Sequence, residues 1–580
     1  MFNKTFIFIL FLFISNNVYA QETADTKYWI MFKAKGNFLP GMEISKGSIA
    51  YEKGKELLNE RAIKRRSKVL TDDKLIDFSD LPIDNDNVNG ITALGVEIIA
   101  KSRWLNGVSA YLDKTQLDKV KALGFVSQIK AVKKLYKQDV EISIDEGLSD
   151  SLADIKEYGN SYRQMEQVNV TKVHDLNITG KGVLIASFDD GFDWRNHEAL
   201  RNLKVIDEFD FINKDNKTYP ERNQKYKDDS NQGAHGTATL STMSGYFPGK
   251  LISPAYGSEL LLAKTEYVSS ETPMEEDFFL EAAEWAEAKG ADIITSSLIY
   301  KEYDAPYVNN SYTYDHYDGR TAVTTFAATH SAHLGVVFCQ AMGNYNQTTI
   351  PSLGSAADGD SIISVGAVTF SNEPASFTSN GPTKDGRTKP DVVAPGVNVF
   401  AAVIKEISGN NSTYEYTSGT SFSTPITAGI CALLLSAHPE LTPIQVREAL
   451  RNTASLSNNP NNILGWGTVN AYDALLYHGM AWSNDFKIEK SEDLITISTY
   501  LASKDLIDGN TVKLHYSYDG NNYEEKIMRL AEPNGDKNNS GKYSVSFTPS
   551  SNMDKIRFYF SAEDYSGNKS EWQKEVSSIE

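Results

Sequence analysis

The sequence predicts a doubly wound α/β domain with a mainly parallel sheet, preceded by a small α/β module and followed by a β-sandwich. Three observations carry that prediction. Between Gln164 and Tyr477, apolar runs of strand length alternate with helical patterns. From about Met480 the pattern changes to the period-two alternation of half-buried strands. Charge divides the chain as well: residues 27 to 137 hold 21 Lys and Arg against 13 Asp and Glu, whereas residues 138 to 580 hold 35 against 61.

A length of 580 residues exceeds what one core supports, so several domains are expected. Residues 1–20 read as a secretory signal peptide. An uninterrupted run of Phe, Ile and Leu from 6 to 14 follows Lys4, and Val18-Tyr19-Ala20 puts small residues before a cut at Gln21. That run is too short to span a bilayer and no other stretch is long enough. The expected location is therefore outside the cytoplasm, secreted or in the periplasm or at the cell surface, with no membrane span. No cysteine follows the cut, which argues against a lipid anchor.

Residues 21–153 form the basic module and a linker. Lys27 to Lys33 reads as a strand, Thr115 to Leu123 as a helix capped by Thr115 with Asp118 three residues on, and Phe125 to Tyr136 as a second strand. Opposite charge on the basic and acidic parts favours docking between two modules. The bland alternative to a docking face is a solvated basic surface, including Arg61 to Lys68. Nucleic acid is a poor candidate partner, because export and an acidic whole argue against a polyanion. Gln138 to Ala153 is acidic and sparse in large apolar residues, as expected of an exposed linker.

Residues 154–479 carry the α/β pattern. Val183 to Phe188, Leu260 to Lys264, Asp292 to Leu298, Gly335 to Met342 and Ser361 to Val368 read as strands, and Glu275 to Lys289 and Gly319 to His333 as helices. Cys339 and Cys431, the two cysteines, both lie on apolar elements and read as buried thiols. Residues 480–580 carry strands at Leu494 to Leu501, Thr511 to Tyr518, Lys542 to Thr548 and Lys555 to Ser561. Asp519-Gly520 supplies a hairpin turn. About one hundred residues of this kind suggest a sandwich similar to bacterial fibronectin type III or immunoglobulin-like modules.

Three short segments hold Asp, His and Ser in that order: Phe188-Asp-Asp-Gly191, Ala234-His-Gly-Thr237 and Ser418-Gly-Thr-Ser-Phe-Ser-Thr-Pro425. A serine hydroxyl is a weak nucleophile until a histidine takes its proton, and the histidine needs a carboxylate to fix its tautomer. Asp189 falls at the carboxyl end of a buried strand, where chemistry collects in open sheets. His235 opens a run of small residues that reads as a closely packed helix. Ser421 precedes Pro425, read as part of a first helical turn, and the apolar run from Ile426 to Ala437. A further strand ends in Gly343-Asn344.

On these segments the chain resembles the subtilisin-like serine proteases, or subtilases. The resemblance implies that Asp189 orients the histidine, His235 is general base and acid, and Ser421 is the nucleophile. Asp190 stands where family members usually have Ser or Thr, so the role goes to Asp189, first in Asp-x-Gly. Asn344, with the backbone N–H of Ser421, is implied to form the oxyanion hole. Phe377-Thr-Ser-Asn-Gly-Pro382, Lys389-Pro-Asp-Val-Val-Ala-Pro-Gly396 and Gly465-Trp-Gly-Thr-Val-Asn470 extend the resemblance as turns and packing segments. The basic module resembles the family's propeptide, a chaperone and inhibitor made as part of a zymogen, with self-cleavage expected between Gln138 and Ala153.

The implied function is secreted serine endopeptidase activity on protein or peptide substrates through an acyl-enzyme, with the protein's own propeptide as a partner. Substrate contacts are expected at Ser297, Leu298, Ile299, Tyr300 and Gly343. Subtilases usually show Ser-Leu-Gly-Gly where this chain has Ser297-Leu-Ile-Tyr300, so a reshaped, narrower subsite is expected near Ile299 and Tyr300. No cofactor is expected. Asp207 to Asp210 is a conceivable Ca²⁺ segment, yet without loop ligand spacing it reads as hydrated surface. A secreted binding or adhesion protein built on the same fold is the alternative, acting through its sandwich. A missing triad member would mark such a protein, and none is missing. An esterase fits less well, since no Gly-x-Ser-x-Gly surrounds Ser421.

Overall fold

The computed structural model describes residues 26–131, 155–269, 272, 274–301, 312–404, 413–491, 494–548 and 557–572. The signal segment and the Gln138–Ala153 linker lie outside the described residues.

The amino-terminal module is an antiparallel sheet in the order Ile98–Ser102, Gly107–Leu112, Thr26–Phe32, Val126–Ala131. Helices Asn85–Thr92 and Lys114–Lys121 supply Val88, Ile91 and Val120 to a core with Ile30, Phe32, Val108 and Ala110. The second helix starts one residue earlier than Thr115. Asp113 is its cap, in a reciprocal box with Gln116, because Asp113 accepts from the Gln116 N–H and Gln116 returns to the Asp113 N–H. Of the strand expected at Phe125 to Tyr136, Val126–Ala131 is observed and residues beyond 131 fall outside the described set. Between the first strand and helix Asn85–Thr92 the chain makes an inserted arm. It carries helices Ile49–Lys55, capped by Ser48, and Glu60–Arg66, capped by Asn59, around a small core of Ile44, Tyr51, Leu58, Ala62, Ile76 and Leu81.

Arg61 to Lys68 is not a solvated surface. Arg65 and Arg66 are 1% and 0% exposed and share the carboxylate of Glu287, in the helix Met274–Ala288 of the acidic part. Lys27 reaches Asp277 of the same helix at 2.6 Å. The basic face is therefore an interface, which is why its charge is dense and one-sided.

The central sheet has seven strands, all paired in parallel, in the order Val392–Pro395, Ile363–Val368, Val337–Ala341, Ile293–Ser296, Leu184–Asp189, Glu259–Lys264, Lys204–Asp210. Successive side chains of a strand point to opposite faces. Ile185 thus joins the core under helices Ala234–Ser244 and Thr420–Ala437, whereas Leu184, Ala186 and Phe188 join the core under Met274–Ala288 and Val323–His333. The strand order reverses direction at Leu184–Asp189, so the crevice at its carboxyl end is the natural site for chemistry. Helix Thr420–Ala437 is long and apolar enough to cross a membrane, but all of it is buried inside the protein.

The carboxyl-terminal region forms two antiparallel sheets around one core. One contains Leu494–Ala502 and Gly541–Phe547, the other Lys513–Ser517 and Arg557–Glu563, and Ile497, Tyr543, Leu514 and Phe560 meet between them. Asp519 shapes the expected turn by accepting from the Asn521 and Asn522 N–H groups, with Gly520 at φ 79°. This region docks on residues 177 to 181, just before strand Leu184–Asp189. The Ser483 hydroxyl donates to the Asn177 carbonyl at 2.9 Å, and Lys181 pairs with Asp485 at 2.5 Å.

One buried titratable group ties the fold to pH. His174 Nε2 lies 2.8 Å from the Pro254 carbonyl, which can only accept, so Nδ1 accepts from the Tyr158 hydroxyl, also at 2.8 Å. Burial lowers its pKa to about 4. The unfolded chain takes up this proton from about pH 6.5 downward, so stability falls as the pH drops toward 4, by about 1.4 kcal/mol per unit. The stability difference between wild type and His174→Gln, followed by urea unfolding from pH 7 to 4, should fall by about that slope, with the remaining pH dependence carried by groups such as His330, whose pKa burial also lowers to about 4.

Candidate active site

Strand Leu184–Asp189 delivers Asp189 to the carboxyl edge of the sheet, 1% exposed. A carboxylate so buried must have its oxygens occupied. Oδ1 accepts from His235 Nδ1 at 2.6 Å and from the Asp190 N–H at 2.9 Å, and Oδ2 accepts from the Thr239 hydroxyl at 2.9 Å. Thr239 is a site residue that motif reading missed. Its signal was its spacing, four residues after His235 on one face of helix Ala234–Ser244. Asp190 does a different job. Its Oδ1 accepts from the Gly236 N–H at 2.7 Å and its Oδ2 lies 3.4 Å from the His235 N–H. The helix N-cap, Gly233, has no side chain to cap with, so Asp190 takes that place from a neighbouring segment. Gly236 is required there, since a Cβ would overlap the Gly191 carbonyl.

Ser421 lies near the start of helix Thr420–Ala437, after Gly419. Pro425 stands inside this helix, past the first turn expected from the sequence. It lacks the N–H that would bond the carbonyl four residues back, that of Ser421. The Ser297 hydroxyl fills the gap, donating to the Ser421 carbonyl at 2.8 Å, while Ser421 Oγ lies 3.5 Å from the Ser297 carbonyl. The His235 ring lies 6.2 Å, centroid to centroid, from that of Phe422, the next residue, so Ser421 and His235 share one cleft.

Asn344 follows strand Val337–Ala341 and Gly343, whose φ is 105°. Its Oδ1 accepts from both the Thr420 N–H and the Thr420 hydroxyl at 3.0 Å. That pair fixes the amide orientation and leaves Nδ2 as the end Thr420 does not engage. Gly343 N–H donates in turn to Thr420 Oγ1 at 3.3 Å.

Ser297 and Leu298 follow strand Ile293–Ser296 along the same cleft edge, with the Leu298 carbonyl held by Gln340 Nε2 at 2.5 Å. The two bulky residues after them part ways. Ile299 is half-buried with its Cγ2 against Gly354, where a Cβ would overlap it. Tyr300 is turned into the core, 2% exposed, edge-on to Phe279 with its hydroxyl 3.4 Å from Glu266. Its backbone is bridged to Ser355 by N–H to O contacts of 3.1 and 3.2 Å. The Tyr300 side chain thus packs rather than narrowing a subsite, because a ring of that size finds its apolar partners behind the strand.

The acidic stretch also departs from expectation. Asp210 is fully buried, and Lys264 Nζ lies 3.0 Å from Asp210 Oδ2 and 2.7 Å from Asp228 Oδ2. An ammonium already supplies the charge these carboxylates need. Among the described residues, the one group of His, Cys, Asp and Glu close enough to hold a metal is Asp189, Asp190 and His235, within 4.8 Å of one another. Cys339 and Cys431 are buried free thiols with Sγ atoms 3.9 Å apart, and burial pushes the Cys339 pKa up.

A buried carboxylate bonded to an imidazole at the carboxyl edge of an open parallel sheet, with a serine at a helix start in the same cleft, is the arrangement of a serine hydrolase. Residues 180–467 match the subtilase family, and residues 27–145 match the peptidase S8 propeptide domain of Bacteroidota. The chain is 30% identical over 321 residues to the serine protease AprX of Bacillus subtilis (strain 168), covering 51% of this chain and 67% of that one. It is 28% identical over 386 residues to subtilisin amylosacchariticus of Bacillus subtilis subsp. amylosacchariticus, covering 66% and 84%. The crystal structure of fervidolysin from Fervidobacterium pennivorans, a keratinolytic enzyme related to subtilisin, superposes with a TM-score of 0.52 at 19% identity, over 85% of this chain and 75% of that one. The chain belongs to the subtilase family and is a serine endopeptidase carrying a propeptide domain.

Ser297→Ala removes the donor that replaces the missing Pro425 N–H and leaves a buried carbonyl unpaired. It should lower stability by about 1–3 kcal/mol in urea unfolding, whereas Ser297→Thr should hold stability closer to wild type.

Proposed function

We propose that this protein is an exported endopeptidase that cleaves peptide bonds through Ser421, His235 and Asp189, and that it is held as a zymogen by its propeptide domain. The observation that carries the reading is the bond from His235 Nδ1 to buried Asp189. With its proton on Nδ1, the imidazole keeps a lone pair on Nε2 to take the Ser421 proton. The alkoxide oxygen then adds to the scissile carbonyl. The resulting oxyanion accepts from Asn344 Nδ2 and from the Ser421 N–H, a first-turn amide without a partner inside its helix. His235 returns the proton to the leaving amine, leaving an acyl-enzyme that water hydrolyses by the same path reversed. The chemistry is acid–base and nucleophilic throughout and calls for no cofactor.

Substrate lies along Ser297, Leu298 and Ile299 on one side and Gly343 on the other, paired as an added strand. Export rests on the apolar run from 6 to 14, and self-cleavage is assigned to Gln138–Ala153.

A serine-reactive phosphonate should label the purified protein at Ser421, and Ser421→Ala should abolish both labelling and peptide hydrolysis, with a loss of roughly 10⁴-fold or more. Labelling elsewhere, or undiminished hydrolysis, overturns the assignment. Amino-terminal sequencing of the exported wild type should find a start between residues 138 and 153 that Ser421→Ala lacks. In a peptide-library profile, Ile299→Gly should admit larger side chains beside Gly354. Tyr300→Gly should instead lower stability by about 3–5 kcal/mol through the cavity it leaves, with little change in profile.

A further inference from the structure

We infer that the inserted arm of the propeptide domain binds a second anchor, on the edge of the central sheet opposite the triad, and that this anchor holds the propeptide after its covalent link is cut. The inference rests on the reading of residues 27–145 as a propeptide and goes beyond it in assigning a separate docking surface and its ligand, a pair of guanidinium groups.

The location follows from the partners. Arg61 donates to the Gly182 carbonyl at 2.7 Å, to Glu259 at 2.8 Å and to Asp292, all at the amino ends of central strands. Arg65 donates to the carbonyls of Ala291 at 2.7 Å, Glu287 at 3.2 Å and Leu334 at 3.3 Å. Those carbonyls end helices Met274–Ala288 and Val323–His333 or follow them directly, where backbone acceptors lack intrahelical partners and the helix dipoles are negative. Asp189, Ser297 and Asn344 lie at the other ends of these same strands, roughly 20 Å away for a strand of six residues.

The chemistry is specific to guanidinium. Glu287, 0% exposed, accepts from Arg66 Nε and Nη2, both at 2.8 Å, and from Arg65. Arg66 is held on its other side by Asp80 through two bonds of 2.8 Å. Burial alone would raise the Glu287 pKa, but Arg66 and Arg65 outweigh it and hold the carboxyl at about 2. A planar fork with five donors satisfies two carboxylates and several carbonyls at once, which an ammonium cannot do. Glycine completes the fit, because a Cβ at Gly290 would press on Arg61 and Asn59. Leaving this surface strips Glu287 of Arg65 and Arg66, and of Arg103, which reaches it from the module's sheet at 3.3 Å, so release is opposed by an interaction that scission in the linker does not touch.

The test uses the full chain with Ser421→Ala, to stop digestion, and a recognition sequence for an unrelated specific protease inserted between residues 138 and 153. After that protease cuts, the propeptide should co-elute with the remainder in size exclusion. Arg65→Met with Arg66→Met should speed its dissociation at least tenfold, and Arg61→Ala, at the half-exposed rim, severalfold with a stronger salt dependence. Unchanged dissociation in these variants overturns the anchor. If the double variant fails to fold, Arg61→Ala and Glu287→Gln, each checked by circular dichroism before cutting, decide the matter on the same readout. Because the cut is imposed, failure of self-cleavage in the wild type would count against the zymogen reading and leave this result standing.

Discussion

The catalytic half of the molecule is organised by one requirement, that the carboxylate of Asp189 be fully hydrogen-bonded where water cannot reach it. His235 Nδ1, the Asp190 N–H and the Thr239 hydroxyl meet that requirement together. Each comes from a fixed place: the residue after the strand end, and two positions one turn apart on helix Ala234–Ser244. Fixing the carboxylate therefore fixes the helix, and Asp190 fixes the same helix a second time through its first amides. The imidazole inherits its orientation from a lattice of bonds that would exist without any substrate.

A parallel sheet presents two unlike edges, and this protein uses both. At the carboxyl ends the loops carry Asp189, Ser297 and Asn344. At the amino ends the same strands begin beside acidic side chains and spent helix termini, which the arginines of the inserted arm satisfy. The carboxyl-terminal sheets dock at that amino edge too, on residues 177 to 181. Among the described residues, these contacts fall at the ends of the strands away from Asp189, Ser297 and Asn344.

Much of this was legible in the sequence. Buried parallel strands announce themselves as apolar runs, so the fold follows from local pattern, while Asp189 falls at a strand end and His235 and Ser421 at helix starts, as the family resemblance implies. What was not legible depends on pairing between distant segments. Arg61 to Lys68 looks like solvated charge until Glu287 and Asp80 are brought to it. Asp210 looks like surface until Lys264 arrives from the adjacent strand. Tyr300 sits in a motif that places it by analogy in the cleft, yet the direction of a side chain leaving a strand is set by Phe279 and Ser355, which the motif does not contain. Thr115 seemed the cap because a hydroxyl there suits a helix start, but Asp113 with Gln116 closes both ends of the box.

The substitution of a side-chain hydroxyl for the missing Pro425 amide has a mechanical corollary. In the proposed function Ser297 belongs to the ledge on which a peptide is laid, and its hydroxyl grips the backbone carbonyl of Ser421, the proposed nucleophile. Any guest that shifts the ledge tugs that residue by the same bond. Occupancy of the groove and aim of the nucleophile are geared together, so a poorly seated chain meets a misdirected oxygen.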